Sequence, residues 1–274
     1  KIARMAANTF ALEAVAMQTV GLYESGADIR LEAAIAKLWN TETAWHMVDD
    51  ALQVRGGRGY ETADSLRARG EPAIPVERMM RDSRINLIFE GSSEIMRLFI
   101  AREAVDRHFS LAFPIVAPKS TMGQRLSAAV KAAPFYLTWY PGTWLPGFQS
   151  FGEFGRLATH LRYAARSTRK LGRTLFHAMV RFGPGLEKRQ MVLFRAVDIG
   201  AELYAMTAAC TRAQMLATKH NQPEAIALAD AFCTESRGRI ADLFRSLYGP
   251  HDRAMYALAR DVLDGKHAWL ERDL

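Results

Sequence analysis

Apolar residues at the beginning of the chain recur every three or four positions, the spacing that places side chains on one face of an α-helix. This pattern covers residues 1–25, and Gly26 provides a helix stop. A second periodic segment begins near Asp28, a residue type that caps helices, and ends at Gly56 and Gly57. Because the helical pattern starts at the first residues of the chain, with no cap before it, we expect the chain to be part of a longer protein.

Glycine and proline interrupt the helical pattern after the second segment. Residues 58–75, which contain two glycines and two prolines, are predicted to form a loop. A short helix is predicted at residues 76–80. After a break at residues 90–93, helical spacing resumes and continues to His108.

The second half of the chain is organised differently. Little periodicity occurs between Phe113 and Thr121, so we place a domain boundary there and divide the chain into residues 1–112 and 113–274. The aromatic stretch at residues 135–154 is too irregular to predict a long helix. Further helices are predicted near residues 154–182, 186–220, 223–248 and 252–267, a number that suits a second bundle. The predicted fold class is all-α, with two helical bundles.

Composition excludes several classes of protein. The long apolar stretch at residues 191–216 carries four charged side chains, which excludes a transmembrane helix. Cys210 and Cys233 suggest packed thiols in a reducing compartment, and hence a cytoplasmic protein, rather than a disulfide framework. The seven histidines are scattered without a pair at ligand spacing, so no metal site is predicted.

The formal net charge of +7 is concentrated in residues 119–195, where thirteen basic residues accompany only two acidic ones. Aromatic residues are interleaved with these charges. Two interpretations stay open: peripheral contact with an anionic surface such as the inner membrane, or a solvated face over an ordinary bundle core. Nucleic acid is not expected as a partner, because no recognised binding motif accompanies the charge.

A glycine-containing motif, Gln53-Val54-Arg55-Gly56-Gly57, lies at the end of the second predicted helix. Glycine there allows the backbone to approach a ligand closely, but a plain helix stop needs the same residues. Since no strand precedes this motif, it is not a dinucleotide-binding fingerprint.

Glu90 is the candidate catalytic residue. It follows a mainly apolar segment and precedes Gly91, so its carboxylate could lie in an apolar pocket with a raised pKa. The alternative is a solvent-facing loop glutamate near a helix start. Upstream, Arg81 and Asp82 are expected to hold this region through an ion pair.

Three segments in order, residues 53–60, 75–82 and 88–97, resemble the signatures of acyl-CoA dehydrogenases. The resemblance covers residues 1–108 and implies the C-terminal helical bundle of that fold, which in the family follows a helical domain and a β domain. Residues after Phe113 resemble, by position, the C-terminal extension of the very-long-chain dehydrogenases.

The resemblance implies a role for each matching residue. Glu90 matches the base that removes the α-proton of the acyl thioester while FAD accepts the β-hydride, and Gly91 matches a substrate-side position. The segment that contacts the adenosine and diphosphate part of FAD, typically held by the neighbouring subunit, is matched by Gln53, Val54, Arg55, Gly56 and Gly57. A stretch beside the FAD is matched by Ser92, Ser93 and Glu94.

The sequence therefore predicts the C-terminal portion of an FAD-dependent acyl-CoA dehydrogenase that acts on a fatty acyl-CoA. A long-chain preference rests on the extension alone, and oxidases of the same fold are not separated. The resemblance implies a homodimer or a dimer of dimers, with electron-transferring flavoprotein as acceptor. The isolated chain is expected to be inactive. The alternative is a non-enzymatic helical module, derived from this fold, that docks on a membrane or a partner.

Overall fold

The computed structural model describes residues 1–116, 120–145, 147 and 149–271. Every regular element within these ranges is helical, which confirms the all-α fold class. The helices are α1 (Ile2–Glu24), α2 (Arg30–Arg55), α3 (Gly57–Tyr60), α4 (Ala63–Ala68), α5 (Val76–Arg84), α6 (Ser93–Val116), α7 (Met122–Gly142), α8 (Ala158–Phe182), α9 (Gln190–Lys219), α10 (Ala225–Ser246) and α11 (Asp252–Leu263). None of the helices in the described ranges has the length and apolarity needed to cross a lipid bilayer.

Helix α9 lies at the centre of the molecule and packs against α1, α6, α8 and α10. Its sequence is rich in alanine, and small side chains let neighbouring backbones approach closely. Larger residues such as Ile199 and Met206 are fully buried between them. One charged residue also lies in this core: Glu202 accepts hydrogen bonds from Ser236 and Arg239 of α10, at 2.6 and 2.8 Å.

A single core joins the two regions that the sequence divides. Phe10 and Leu38 of the first region belong to the same buried cluster as Phe232 and Ile240 of the second. The indole Nε1 of Trp39 donates to Glu202 at 3.3 Å, and the Trp39 ring meets Phe232 edge-on. The second set of helices is therefore packed against the first, while the boundary at residues 112–113 stays a prediction.

Helix α7 is the main departure from the sequence prediction. Thr121 and Gln124 form a capping box at its start, and the helix then continues through residues 135–142, the first part of the aromatic stretch predicted to be irregular. Phe135, Tyr136 and Trp139 lie at helical spacing and surround His108 of α6. The prolines within the stretch hid this periodicity. Helix α6 likewise continues past His108 to Val116.

The segment predicted as a loop at residues 58–75 contains two short helices, α3 and α4. The side chain of Thr62 caps α4 by accepting a hydrogen bond from the backbone N–H of Ser65 at 3.3 Å. Local capping therefore restores helical turns between the glycine and proline breaks.

The predicted ion pair between Arg81 and Asp82 is wrong. Arg81 instead binds Glu77 at 2.5 Å, and Arg78 binds Asp82 at 3.4 Å. Helix α5 extends to Arg84, and residues four apart on a helix face each other whereas adjacent ones do not.

Candidate functional site

Glu90 lies in a tight turn between a short 3-10 turn, Ile85–Leu87, and helix α6. Its φ is 53°, and that of Gly91 is 97°, so two consecutive residues adopt the left-handed region. A non-glycine residue there costs about 1 kcal/mol, and such conformations concentrate at functional sites. The turn directs the carboxylate-bearing residue to the surface, where Glu90 is exposed.

The turn is fastened to α2 by Lys37. The ammonium of this half-buried lysine donates to the carbonyl oxygen of Gly91 at 2.6 Å and to that of Asn86 at 3.0 Å. Hydrogen bonds from a charged donor are about twice as strong as neutral ones. One side chain thus ties both ends of the Glu90 segment to the same helix.

Gly91 could not be replaced without strain. Apart from its left-handed φ, a Cβ at this position would lie 2.6 Å from the Sδ atom of Met96 on the first turn of α6. Met96 therefore packs directly over the turn. The backbone N–H of Glu90 makes no hydrogen bond within the described ranges, so this donor is available beside the carboxylate.

Helix α6 begins at Ser93, immediately after the turn. The backbone N–H of Ile95 donates to the hydroxyl of Ser92 over a long 3.5 Å, and Glu94 is exposed. The hydroxyl of Ser93 is buried and has no hydrogen-bond partner among the residues that the structure describes. A buried, unpaired polar atom indicates a missing partner.

Four apolar residues within five positions of Glu90 in the sequence have exposed side chains. About half of the surface of each side chain is exposed to solvent. These residues are Ile85, Ile88, Phe89 and Ile95. Exposed apolar side chains are typical of a place where another protein segment or a ligand binds when they form a contiguous patch. Within this chain Glu90 is therefore flanked by apolar groups but not covered by them.

The glycine-containing motif lies at the C-terminal end of α2. Gln53, Val54, Gly56 and Gly57 are exposed, while Arg55 is half-buried and its Nε has no partner in the described ranges. Gly56 has a φ of 60°, and no atom lies within 4 Å of where its Cβ would be. The motif therefore presents open backbone, whereas the unpaired Nε of Arg55 is a buried atom.

Sequence reasoning missed the reason for the next glycine, Gly59. It is buried, and a Cβ there would lie 2.6 Å from the carbonyl oxygen of Leu52. Close packing of α3 against the end of α2 requires this residue to be glycine.

The structure does not bring the two motifs together within one chain. Lys37, which holds the Glu90 turn, and Gln53 lie sixteen residues apart on α2. At the helical rise this is a separation of about 24 Å along the helix axis. The Glu90 turn is therefore attached to the N-terminal half of α2, whereas the glycine-containing motif lies at the C-terminal end of that helix.

Arg97 connects the helix after Glu90 to the second region of the chain. Its guanidinium binds Glu42 of α2 at 2.6 and 2.7 Å and Asp198 of α9 at 2.8 Å. Burial lowers the pKa of Arg97, but the hydrogen bonds and charges of both carboxylates outweigh burial and raise it. Burial raises the pKa of Asp198, and the charge of Arg97 opposes this. No local pattern in the sequence identified this network.

Cys210 and Cys233 are free, buried thiols with their sulfur atoms 3.6 Å apart, which confirms the prediction of packed cysteines. The hydrogen bond with Cys210 and burial raise the pKa of Cys233, which disfavours the reactive thiolate form. Among the described residues, no group of three or more His, Cys, Asp or Glu side chains is placed to hold a metal ion.

Both regions of the chain match known protein families. Residues 1–105 match the family described as acyl-CoA dehydrogenase, C-terminal domain, and residues 155–267 match the ACAD9/ACADV, C-terminal domain. The chain is 50% identical over its full length to the probable acyl-CoA dehydrogenase FadE10 of Mycobacterium tuberculosis. It is 29% identical, over 93% of its length, to the mitochondrial very long-chain specific acyl-CoA dehydrogenase of Homo sapiens.

A solved structure, an acyl-CoA dehydrogenase complexed with FAD from Bacillus anthracis, shares the fold. It superimposes on 94% of the chain with a TM-score of 0.65 and 24% sequence identity. The chain spans 43% of the mycobacterial relative, 38% of the human one and 44% of the solved structure. These matches, with the helical architecture, show that the chain belongs to the acyl-CoA dehydrogenase family.

Proposed function

We propose that the protein containing this chain is an FAD-dependent acyl-CoA dehydrogenase in which Glu90 removes the α-proton of a fatty acyl thioester. One observation carries this proposal. Glu90 is held in a left-handed turn by Lys37 and is exposed, and it directly follows the exposed apolar residues Ile88 and Phe89. A structural glutamate in a loop needs neither the strained backbone nor the lysine clamp.

The chemistry explains these features. The α-proton of a thioester is weakly acidic, so the base must be positioned accurately and shielded from water to become basic enough. Ile88 and Phe89 supply apolar surface next to Glu90, and we propose that the substrate and the rest of the protein complete the cover. The free backbone N–H of Glu90 is suited to polarise the thioester oxygen, which stabilises the charge that develops as the proton leaves.

The residues of this chain fit an FAD cofactor. The unpaired hydroxyl of Ser93 and the start of α6 would lie along it with Ser92 and Glu94, and the half-buried side chain of Arg55 would approach its diphosphate portion. Open backbone at Gly56 and Gly57, flanked by Gln53 and Val54, permits close approach. When bound, FAD supplies the acceptor for the β-hydride.

The separation of the two motifs supports a subunit arrangement. Because Lys37, to which the Glu90 turn is attached, and Gln53 lie about 24 Å apart along the axis of α2, we propose that the two motifs contact FAD molecules held by different subunits. This requires a homodimer or a dimer of dimers. Electron-transferring flavoprotein is the proposed electron acceptor, and a long-chain acyl-CoA is the proposed substrate, supported by the match of residues 155–267 to the ACAD9/ACADV domain.

Peripheral contact with the cytoplasmic face of the inner membrane, through residues 119–195, is also part of the proposal. It is supported by α7, on which Met122, Leu126, Val130 and Leu137 expose most of their surface within the basic region. A solvated face is the alternative interpretation.

The test of the catalytic proposal is flavin bleaching by acyl-CoA without oxygen, in the full-length protein and its Glu90→Gln variant. We expect the variant to retain FAD and to reduce it about 10²- to 10⁴-fold more slowly, the range for loss of a general base. Asp82→Asn, an exposed carboxylate on α5, is the control and should bleach normally.

Unchanged bleaching in Glu90→Gln would place the base elsewhere in the protein. A native full-length protein that binds no flavin would instead support the non-enzymatic docking module.

A further inference from the structure

Helices α8 and α10 gather basic side chains in a groove between them. Arg166, Lys170 and Arg173 of α8 and Arg245 of α10 line one cavity of about 570 Å³, with Ser167 and Phe244. A cavity of this size suits a small molecule rather than a single ion. These helices are not among those that hold the Glu90 turn.

The convergence follows from spacing along α8. Arg166, Lys170 and Arg173 occupy positions i, i+4 and i+7, so a helix places all three on one face. Helix α8 contains six arginine or lysine residues and no aspartate or glutamate. No carboxylate on this helix therefore offsets the three charges.

Neighbouring elements do not neutralise the groove either. In the part of the chain that the structure describes, no carboxylate lies within 4 Å of the cationic group of Arg166, Lys170 or Arg173. Asp242 binds Arg245 at 2.6 Å, but both side chains are largely exposed, and such pairs are weak. Four positive charges and one negative charge leave a net charge of +3.

Two of the cations are held in place by aromatic rings. The ammonium of Lys170 lies 4.0 Å from the ring centre of Phe244, and the guanidinium of Arg173 lies 4.1 Å from that of Trp144. Arg173 also donates to the carbonyl oxygen of Thr143. These contacts orient the groups without removing their charge, and preorganised donors lose less conformational freedom when an anion binds.

We propose that this groove is a binding site for a small anion bearing two or more phosphoryl groups, such as a nucleoside diphosphate. Arginine and lysine together match phosphoryl oxygens, with forked and single donors respectively. A net charge of +3 matches the two to three negative charges of a diphosphate better than it matches the one negative charge of a carboxylate. The inference goes beyond the dehydrogenase activity and does not depend on it.

Calorimetric titration of the full-length, FAD-saturated protein with inorganic pyrophosphate, and separately with ADP, tests the site. We expect saturable binding that becomes roughly tenfold weaker or more in Arg166→Gln/Lys170→Gln, because each lost charge removes charge-assisted hydrogen bonds. The control Arg181→Gln/Lys188→Gln loses the same charge outside the groove, at exposed positions, and should bind as the native protein does.

Three results would overturn the proposal: no saturable binding by the native protein, equal weakening in the control, or binding only to vesicles of phosphatidylglycerol and phosphatidylcholine. The last would make the groove a lipid-facing surface. Circular dichroism checks that the double variant folds; if it does not, Lys170→Gln and the charge-retaining Lys170→Arg give the same comparison.

Discussion

Lys37 illustrates how one side chain can position the proposed base. Replacing it with methionine removes both hydrogen bonds that hold the Glu90 segment while keeping the apolar stem. Since small displacements of a catalytic group cost up to about 10²-fold in rate, we expect Lys37→Met to retain FAD and reduce it about tenfold to a hundredfold more slowly. Rapid-mixing measurement of flavin reduction gives the rate.

Lys37→Arg keeps the charge and should recover part of that rate, while Lys219→Met, at the end of α9, should have no effect. A native rate in Lys37→Met would show that the turn needs no clamp.

The contrast between Glu90 and Lys37 shows which roles of single residues can be predicted from a sequence. Glu90 could be proposed as a candidate because its neighbours form a local pattern that resembles a family signature. Lys37 could not, since its partners Asn86 and Gly91 lie 49 and 54 residues away along the chain. The sequence left two interpretations of Glu90 open, an apolar pocket or a solvent-facing loop, and within this chain Glu90 is exposed.

At the scale of elements, Arg97 holds α6 against α2 and α9. Arg97→Met would leave the carboxylates of Glu42 and Asp198 close together in a part-buried site without their shared cation. We expect a loss of about 3 kcal/mol in the free energy of unfolding, measured by urea denaturation at neutral pH. The control Arg102→Met, an exposed residue on the same helix, should change it by about 0.5 kcal/mol or less. A similar small loss for Arg97→Met would mean that water already solvates the pair.

An ion pair attaches helix α11 to α9. Because one partner is a carboxylate, we expect this attachment to contribute stability that depends on pH. Asp252 accepts hydrogen bonds from Arg195 of α9 at 2.7 and 2.8 Å, and these hold its pKa below the ordinary value of 3.8. A carboxyl with a lower pKa in the folded state contributes stability above pH 3.8 and loses it as the pH falls through the folded-state pKa. We expect stability to fall on acidification below that value, and less steeply in Asp252→Asn; parallel curves for both proteins would contradict this.

The helices show which periodic patterns are informative. Helices α8 to α10 were predicted closely because continuous apolar faces pack on a common core. Helix α7 was missed because Pro134 and Pro141 lie within it, and because its aromatic face packs on His108, a residue of a different helix. Proline disfavours a helix interior but does not forbid it when tertiary contacts compensate.

At the scale of the whole molecule, the shared core bears on the predicted division at residues 112–113. Ala11, Ala14 and Val15 of α1 are buried in the same cluster as Met206 of α9. Elements that share a core open together, so we expect amides of α1 and α9 to exchange hydrogen with similar free energies of opening. Helix α11, which has no buried residue, serves as an internal control and should exchange at a lower free energy. Two separate free energies for α1 and α9, matching two unfolding transitions, would show independent domains at the predicted boundary.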